Sequence, residues 1–108
     1  MAYDEELAGR IRDHLSGHPA VTERKMFGGI AFMLSGNMAV GVSGPDLMVR
    51  VDPSEHDTLL RLEDVRVFDL SGTMKGWLLV GPGVTTTEAG LGEWVDRGLD
   101  FADSLPPK

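Results

Sequence analysis

Arg24-Lys25-Met26-Phe27-Gly28-Gly29 is the segment of the chain whose residue types most plainly suggest chemistry. Two adjacent cations can meet a carboxylate or a phosphate, and a glycine pair lets a ligand or a neighbouring strand come close to the backbone. The segment has neither a Walker lysine-hydroxyl pattern nor a dinucleotide-type glycine series after a strand, so it is not a nucleotide fingerprint. It also has a purely structural reading: Gly28-Gly29 as a bulge or tight lead into a strand, Phe27 under a helix, and the cations solvated. Met74-Lys75-Gly76-Trp77 is the second candidate. Lys75 joins Arg24 and Lys25 in one cationic patch if the strands bring the two motifs together, and Trp77 then offers an amphipathic contact. Otherwise Trp77 is core and Lys75 guards an edge strand. The candidate ligand or partner contacts are therefore Arg24, Lys25, Phe27, Gly28, Gly29, Lys75 and Trp77.

Other reactive groups nominate less. His14 and His18 have the spacing of two ligands on one helical face, with Asp13 adjacent, but Gly17 and Pro19 interrupt the helix and no third ligand is evident. His56 has no identifiable partner. The chain has no cysteine, which excludes disulfides, thiolate catalysis and cysteine-bound zinc. No serine sits in a Gly-x-Ser-x-Gly elbow, and the carboxylates fall mainly at helix starts or on wet faces. The expectation is no catalytic residue, no cofactor and no metal. A small enzyme would need a pocket assembled from residues distant in sequence.

The elements that position these residues follow from periodicity. Leu7, Ile11 and Leu15 repeat at helical spacing between acidic residues at the start and Gly17-Pro19 at the end, predicting a helix over 3–15. Ile30, Phe32 and Leu34, then Met38, Val40 and Val42, then Leu47, Val49 and Val51 alternate between glycine-bearing turns and predict an antiparallel meander of three strands. Asp52-Pro53-Ser54-Glu55 reads as a capping box with proline at the first helical position, opening a helix to about residue 63. Strands are expected over 65–70 and 74–80, with Gly81-Pro82-Gly83 ending the second. Thr85 with Glu88 marks the start of a closing helix that carries Leu91, Trp94, Val95, Gly98, Phe101, Ala102 and Leu105; Thr86 is an alternative cap.

Composition sets the class. At 108 residues, 42% hydrophobic and 25% charged, the sequence is that of one soluble globular domain spanning residues 1–108. Its net charge of −7 opposes a broad grip on phosphate backbones. The charge is uneven: residues 1–50 carry six acids and five bases, residues 51–108 eleven acids and five bases. An anion-tolerant surface therefore belongs to the first half. No stretch is long enough to cross a bilayer, and the acidic start does not fit a signal peptide, so the default setting is cytoplasmic.

Met1 to Leu7, Lys25-Met26-Phe27-Gly28-Gly29, Phe32-Met33 with Gly36-Asn37-Met38, Asp46 to Val51, Met74-Lys75-Gly76 and Leu105 to Lys108 together resemble, in order and over nearly the whole chain, the N-terminal domain of TfoX/Sxy-type proteins. The resemblance implies a compact domain with an antiparallel sheet flanked by helices. It also implies a link to regulation of natural competence, the role of full-length members. It carries no catalytic residue onto this chain, only the Lys25–Gly29 and Met74–Gly76 motifs as features of a fold signature. Full-length members have a further domain resembling a helix-hairpin-helix DNA-binding module. This sequence ends at Lys108 without it, which together with the acidic charge leads us to expect no direct DNA binding.

The expected architecture is α+β, with a five-stranded antiparallel sheet and the element order α-β-β-β-α-β-β-α. The expected function is a non-catalytic interaction or regulatory domain with a protein partner. Self-association through a sheet face or edge would give a homodimer. The alternative is a small-molecule or anion-binding module built on Arg24–Gly29.

Overall fold

The computed structural model describes residues 3–26, 28–68 and 75–107. The chain forms α1 (Glu5–His14), β1 (Val21–Met26), β2 (Gly29–Leu34), β3 (Asn37–Ser43), β4 (Asp46–Arg50), a 3-10 turn (Pro53–Glu55), α2 (His56–Leu59), β5 (Val65–Val67), β6 (Trp77–Val80), α3 (Pro82–Thr85) and α4 (Glu88–Asp103). The fold is α+β, and the sheet is antiparallel with strand order β1-β2-β3-β4-β6-β5.

Among the described residues the sheet has six strands, not five. The added strand is β1, whose Thr22, Glu23, Arg24 and Lys25 are all exposed and carry no alternating apolar signal. It exists because β2 supplies a full hairpin register, from Val21 opposite Leu34 to Met26 opposite Gly29. The β2-β3-β4 meander is as expected. The order of the last two strands has a packing reason. Leu78 and Val80 of β6 are fully buried, so β6 lies inside, between β4 and the short edge strand β5 with its exposed Arg66.

Helix boundaries also shift. Asp4 caps α1 by accepting from the N–H groups of Glu6 and Leu7 at 2.9 and 3.1 Å. Asp52 caps the next segment as expected, accepting from the N–H and the hydroxyl of Ser54, but the α-helix it leads to ends at Leu59. Thr85 and Thr86 do not cap α4. Proline at a first helical position starts the short α3, and Thr87 takes the cap, accepting from the Gly90 N–H at 3.0 Å. The strand expected over 65–70 ends at Val67, and the one expected over 74–80 runs from Trp77; Asp69, Leu70 and Met74 lie outside the described residues.

One face of the sheet carries the main core. Ile30, Phe32, Val40, Val42, Leu47, Val49, Leu78 and Val80 meet Leu7 and Ile11 of α1 and Leu91, Trp94 and Val95 of α4. Each fully buried large side chain contributes about 1.5–3 kcal/mol. An exposed helical pair such as Glu93–Arg97, at 3.2 Å, contributes only about 0.3–0.5 kcal/mol, so apolar burial decides where α4 sits. The helix comes close to the sheet at Gly98, where a Cβ would stand 2.5 Å from the Ala39 carbonyl oxygen. A second, smaller cluster on the other face gathers Ala31, Met38, Met48 and Phe68, with Met33, Trp77 and Leu79 beside it. Among the described residues, no helix is long and apolar enough to cross a membrane.

Candidate functional site

Arg24 to Met26 end β1, the outer strand of the sheet, Gly28 lies in a turn, and Gly29 begins β2. Residues opposite one another across a strand pair share a face. Lys25 stands opposite Ile30, a residue of the helix-covered core, and Arg24 opposite Ala31 of the second cluster. The two adjacent cations therefore point to opposite faces of the sheet, as successive strand residues must. They do not converge on one anion as a pair.

The glycines have a backbone reason. Gly28 turns the chain at a φ of +73°, and a Cβ on Gly29 would lie 2.1 Å from the carbonyl oxygen of Val42. Phe27 lies outside the described residues. Lys75 and Trp77 belong to a different part of the sheet. Strands β2, β3 and β4 stand between β1 and β6, a separation of roughly 19 Å at ~4.8 Å per strand. Lys75 approaches Asp57 at 3.5 Å instead. Trp77 is half-buried beside Phe68, with the Arg50 guanidinium 5.3 Å from its ring centre and 5.5 Å from that of Phe101. Arg50 thus ties the sheet to the end of α4.

What the Arg24–Gly29 region presents outward is backbone. The Ser35 N–H donates to the Ala20 carbonyl at 3.0 Å, which fixes the alternation along β1. The N–H and C=O groups of Thr22, Arg24 and Met26 turn toward β2, and those of Glu23 and Lys25 turn away from the sheet. Among the described residues, no hydrogen bond engages the N–H of Glu23 or Lys25. An open groove of about 670 Å³ adjoins this edge on the helix side, between β1 and the end of α1. Leu15, Val21 and Phe32 form its apolar lining, with Arg12, His18 and Glu23 among its polar residues.

Arg12 and Glu23 join as a two-point pair at the rim, Nε to Oε2 at 2.6 Å and Nη2 to Oε1 at 2.8 Å. The hydrogen bonds from Arg12 hold the Glu23 carboxyl below the usual carboxylate range, and Glu23 in turn raises the Arg12 guanidinium. Glu23 was not among the residues singled out by sequence. The only signal was an opposite charge eleven positions from Arg12, which means little until the turn at residues 15–20 folds α1 back over β1.

The histidines go separate ways. His14 Nε2 meets Asp96 of α4 at 2.9 Å, and His18 Nδ1 accepts from the Ala20 N–H at 3.4 Å. His56 is buried and accepts the Gly76 N–H at Nδ1, at 3.0 Å. Gly76 also receives the Val51 N–H on its carbonyl at 2.8 Å, so the glycine of the Met74–Gly76 motif joins the start of β6 to both α2 and β4. Among the described residues, no group of three His, Asp or Glu side chains is placed to hold a metal.

No curated protein and no solved structure matches the chain. A family model, that of the TfoX N-terminal domain, matches residues 13–102. That span takes in the hairpin and both of its glycines, the meander, the buried β6 and nearly all of α4, and on it the chain belongs to the TfoX N-terminal domain family.

Proposed function

We propose that this domain is a non-catalytic interaction or regulatory module that binds a protein partner, and that it does so by strand addition along β1. The observation carrying this reading is the outward row of N–H and C=O groups at Glu23 and Lys25 on an edge strand of six residues. An unpaired strand edge can take up an extended segment of another protein, with main-chain hydrogen bonds supplying affinity and the flanking side chains supplying specificity. Arg24 and Lys25 then act one on each face of the added strand. A net charge of −7 speaks against a phosphate backbone as the partner, and the regulatory role of full-length TfoX-type proteins accords with a binding module.

Lys25→Pro tests the reading. Proline removes the outward N–H of residue 25 but leaves the bonds between β1 and β2, a position where edge strands tolerate it. Proteins recovered from native extract on the immobilised domain are purified and titrated against both forms. Binding to the wild type should weaken about tenfold or more with Lys25→Pro. Equal affinity for both forms, with unchanged folding by circular dichroism, overturns the proposal.

A further inference from the structure

The partner of this edge follows from the order of its charges, an inference that rests on β1 being a binding edge. We propose that β1 pairs with β1 of a second copy of the same chain, antiparallel about a two-fold axis at Arg24, so that the sheet continues from one copy into the other. In a continuous sheet, facing residues share a face, so odd positions face odd and even face even. The hydrogen-bonded positions are those whose amides turn outward, Glu23 and Lys25. An axis at Glu23 sets carboxylate against carboxylate. An axis at Lys25 sets ammonium against ammonium and pairs little of the strand. An axis at Arg24 sets Glu23 of each copy opposite Lys25 of the other, with the outward N–H and C=O groups of both residues satisfied.

Both side chains are exposed. The Arg12 pair keeps Glu23 ionised and holds it on the helix side of the sheet, the side to which Lys25 also points. A lone lysine on an edge discourages pairing with any strand that brings no acid opposite it. Here the two-residue spacing of Glu23 and Lys25 makes the copy of this strand one that does. The same register has a defect, because Arg24 meets Arg24 of the second copy on the other face, and like charges directly opposite are unfavourable. A contact confined to one edge is also small, so the dimer is weak and reversible.

Sedimentation equilibrium at about 0.15 M ionic strength, which screens the repulsion between two chains of net charge −7, tests the register on the full chain. Glu23→Lys and Lys25→Glu should each weaken self-association about tenfold or more, because each sets like charges opposite on both sides of the axis. Mixing the two variants should restore association, since lysines of one chain then face glutamates of the other throughout. Arg24→Thr should tighten the dimer. Thermal melting of each variant separates loss of pairing from loss of folding, and the rescue in the mixture does not depend on how much the Arg12–Glu23 pair contributed.

A wild-type chain that stays monomeric at about 1 mM overturns the inference, since dissociation constants up to the millimolar range would show there. So does a mixture that associates no better than its components. If the wild type is monomeric while Lys25→Pro still weakens partner binding, the second copy is excluded and the strand-addition reading stands. If Lys25→Pro changes neither partner binding nor self-association, both fall.

Discussion

The two edges of the sheet, β1 and β5, differ in length and in what occupies their charged side chains. β5 has three residues against six for β1. Its single charge, Arg66, is taken by Asp46 of β4 at 2.6 Å, a carboxylate only 12% exposed. At the start of β5, Asp64 adopts a φ of +56° and receives the Gly81 N–H on its carbonyl and the Gly83 N–H on its carboxylate, both at 2.9 Å. That edge is short and its polar groups are spent inside the molecule. Among the described residues, β1 spends Glu23 on Arg12 and leaves Arg24, Lys25 and its outward amides without a partner. A sheet can close one edge by shortening it and tying down its charges, and leave the other able to pair.

The comparison can be broken at its strongest point through Gly29. Gly29→Ala forces a Cβ against the Val42 carbonyl, a backbone atom that cannot move aside alone, and should destabilise the fold by about 3 kcal/mol or more. Chemical denaturation measures the loss. Hydrogen exchange should show the amides of β1 and β2 losing protection before those of β6. Equal loss in both places would mean that β1 is not a separately detachable edge.

A smaller effect is expected at the other edge. Asp46→Ala leaves the Arg66 guanidinium without its carboxylate and should lower stability by about 1–2 kcal/mol, between the values of exposed and buried pairs. Exchange at Val65 to Val67 should rise while β1 is unaffected. A change at β1 of the same size would show that the two edges are coupled across the sheet.

The smallest effect concerns Glu23, whose pair with Arg12 is half in solvent. The Glu23 carboxyl lies below its ordinary value of 4.5 in the folded chain, so its contribution is fully present above that pH and is lost as pH falls through the lowered folded value. Glu23→Gln should therefore cost under about 1 kcal/mol at neutral pH and flatten the acid side of the stability curve. Melting temperatures from pH 7 down to the acid limit of folding measure this. An unchanged acid slope would mean that the Arg12 pair contributes nothing in solution.

How much of this was legible depends on what each residue buries. α1, the meander and α4 were readable because Leu7 and Ile11, Val40 and Val42, and Leu91, Trp94 and Val95 repeat at the period of the element that buries them. β1 was not, because none of Thr22, Glu23, Arg24 and Lys25 is buried, and an edge strand held by one neighbour needs no alternation. The beginning of α4 was misplaced by two residues because three consecutive threonines can all cap, and the short helix begun by proline at residue 82 takes in Thr85 and ends at Thr86 as its C-cap. In the candidate site, the two glycines serve different needs, a positive φ at Gly28 and a close backbone approach at Gly29, and the adjacent cations, legible either as an anion-binding pair or as solvated charges, lie on opposite faces of the strand.

By itself, the sequence determined the class of the domain, its acidic balance, its cysteine-free chemistry and the meander at its centre, because these depend on composition and on local period. Only the tertiary structure decided that β6 lies inside β5, that Lys75 is remote from Lys25, that His56 holds Gly76, and that Arg12 reaches Glu23. Each of these depends on which distant strands and helices become neighbours. That is set by burying Leu78 and Val80 against the helices and by the turn that returns α1 onto the sheet, and neither leaves a mark at fixed spacing along the chain.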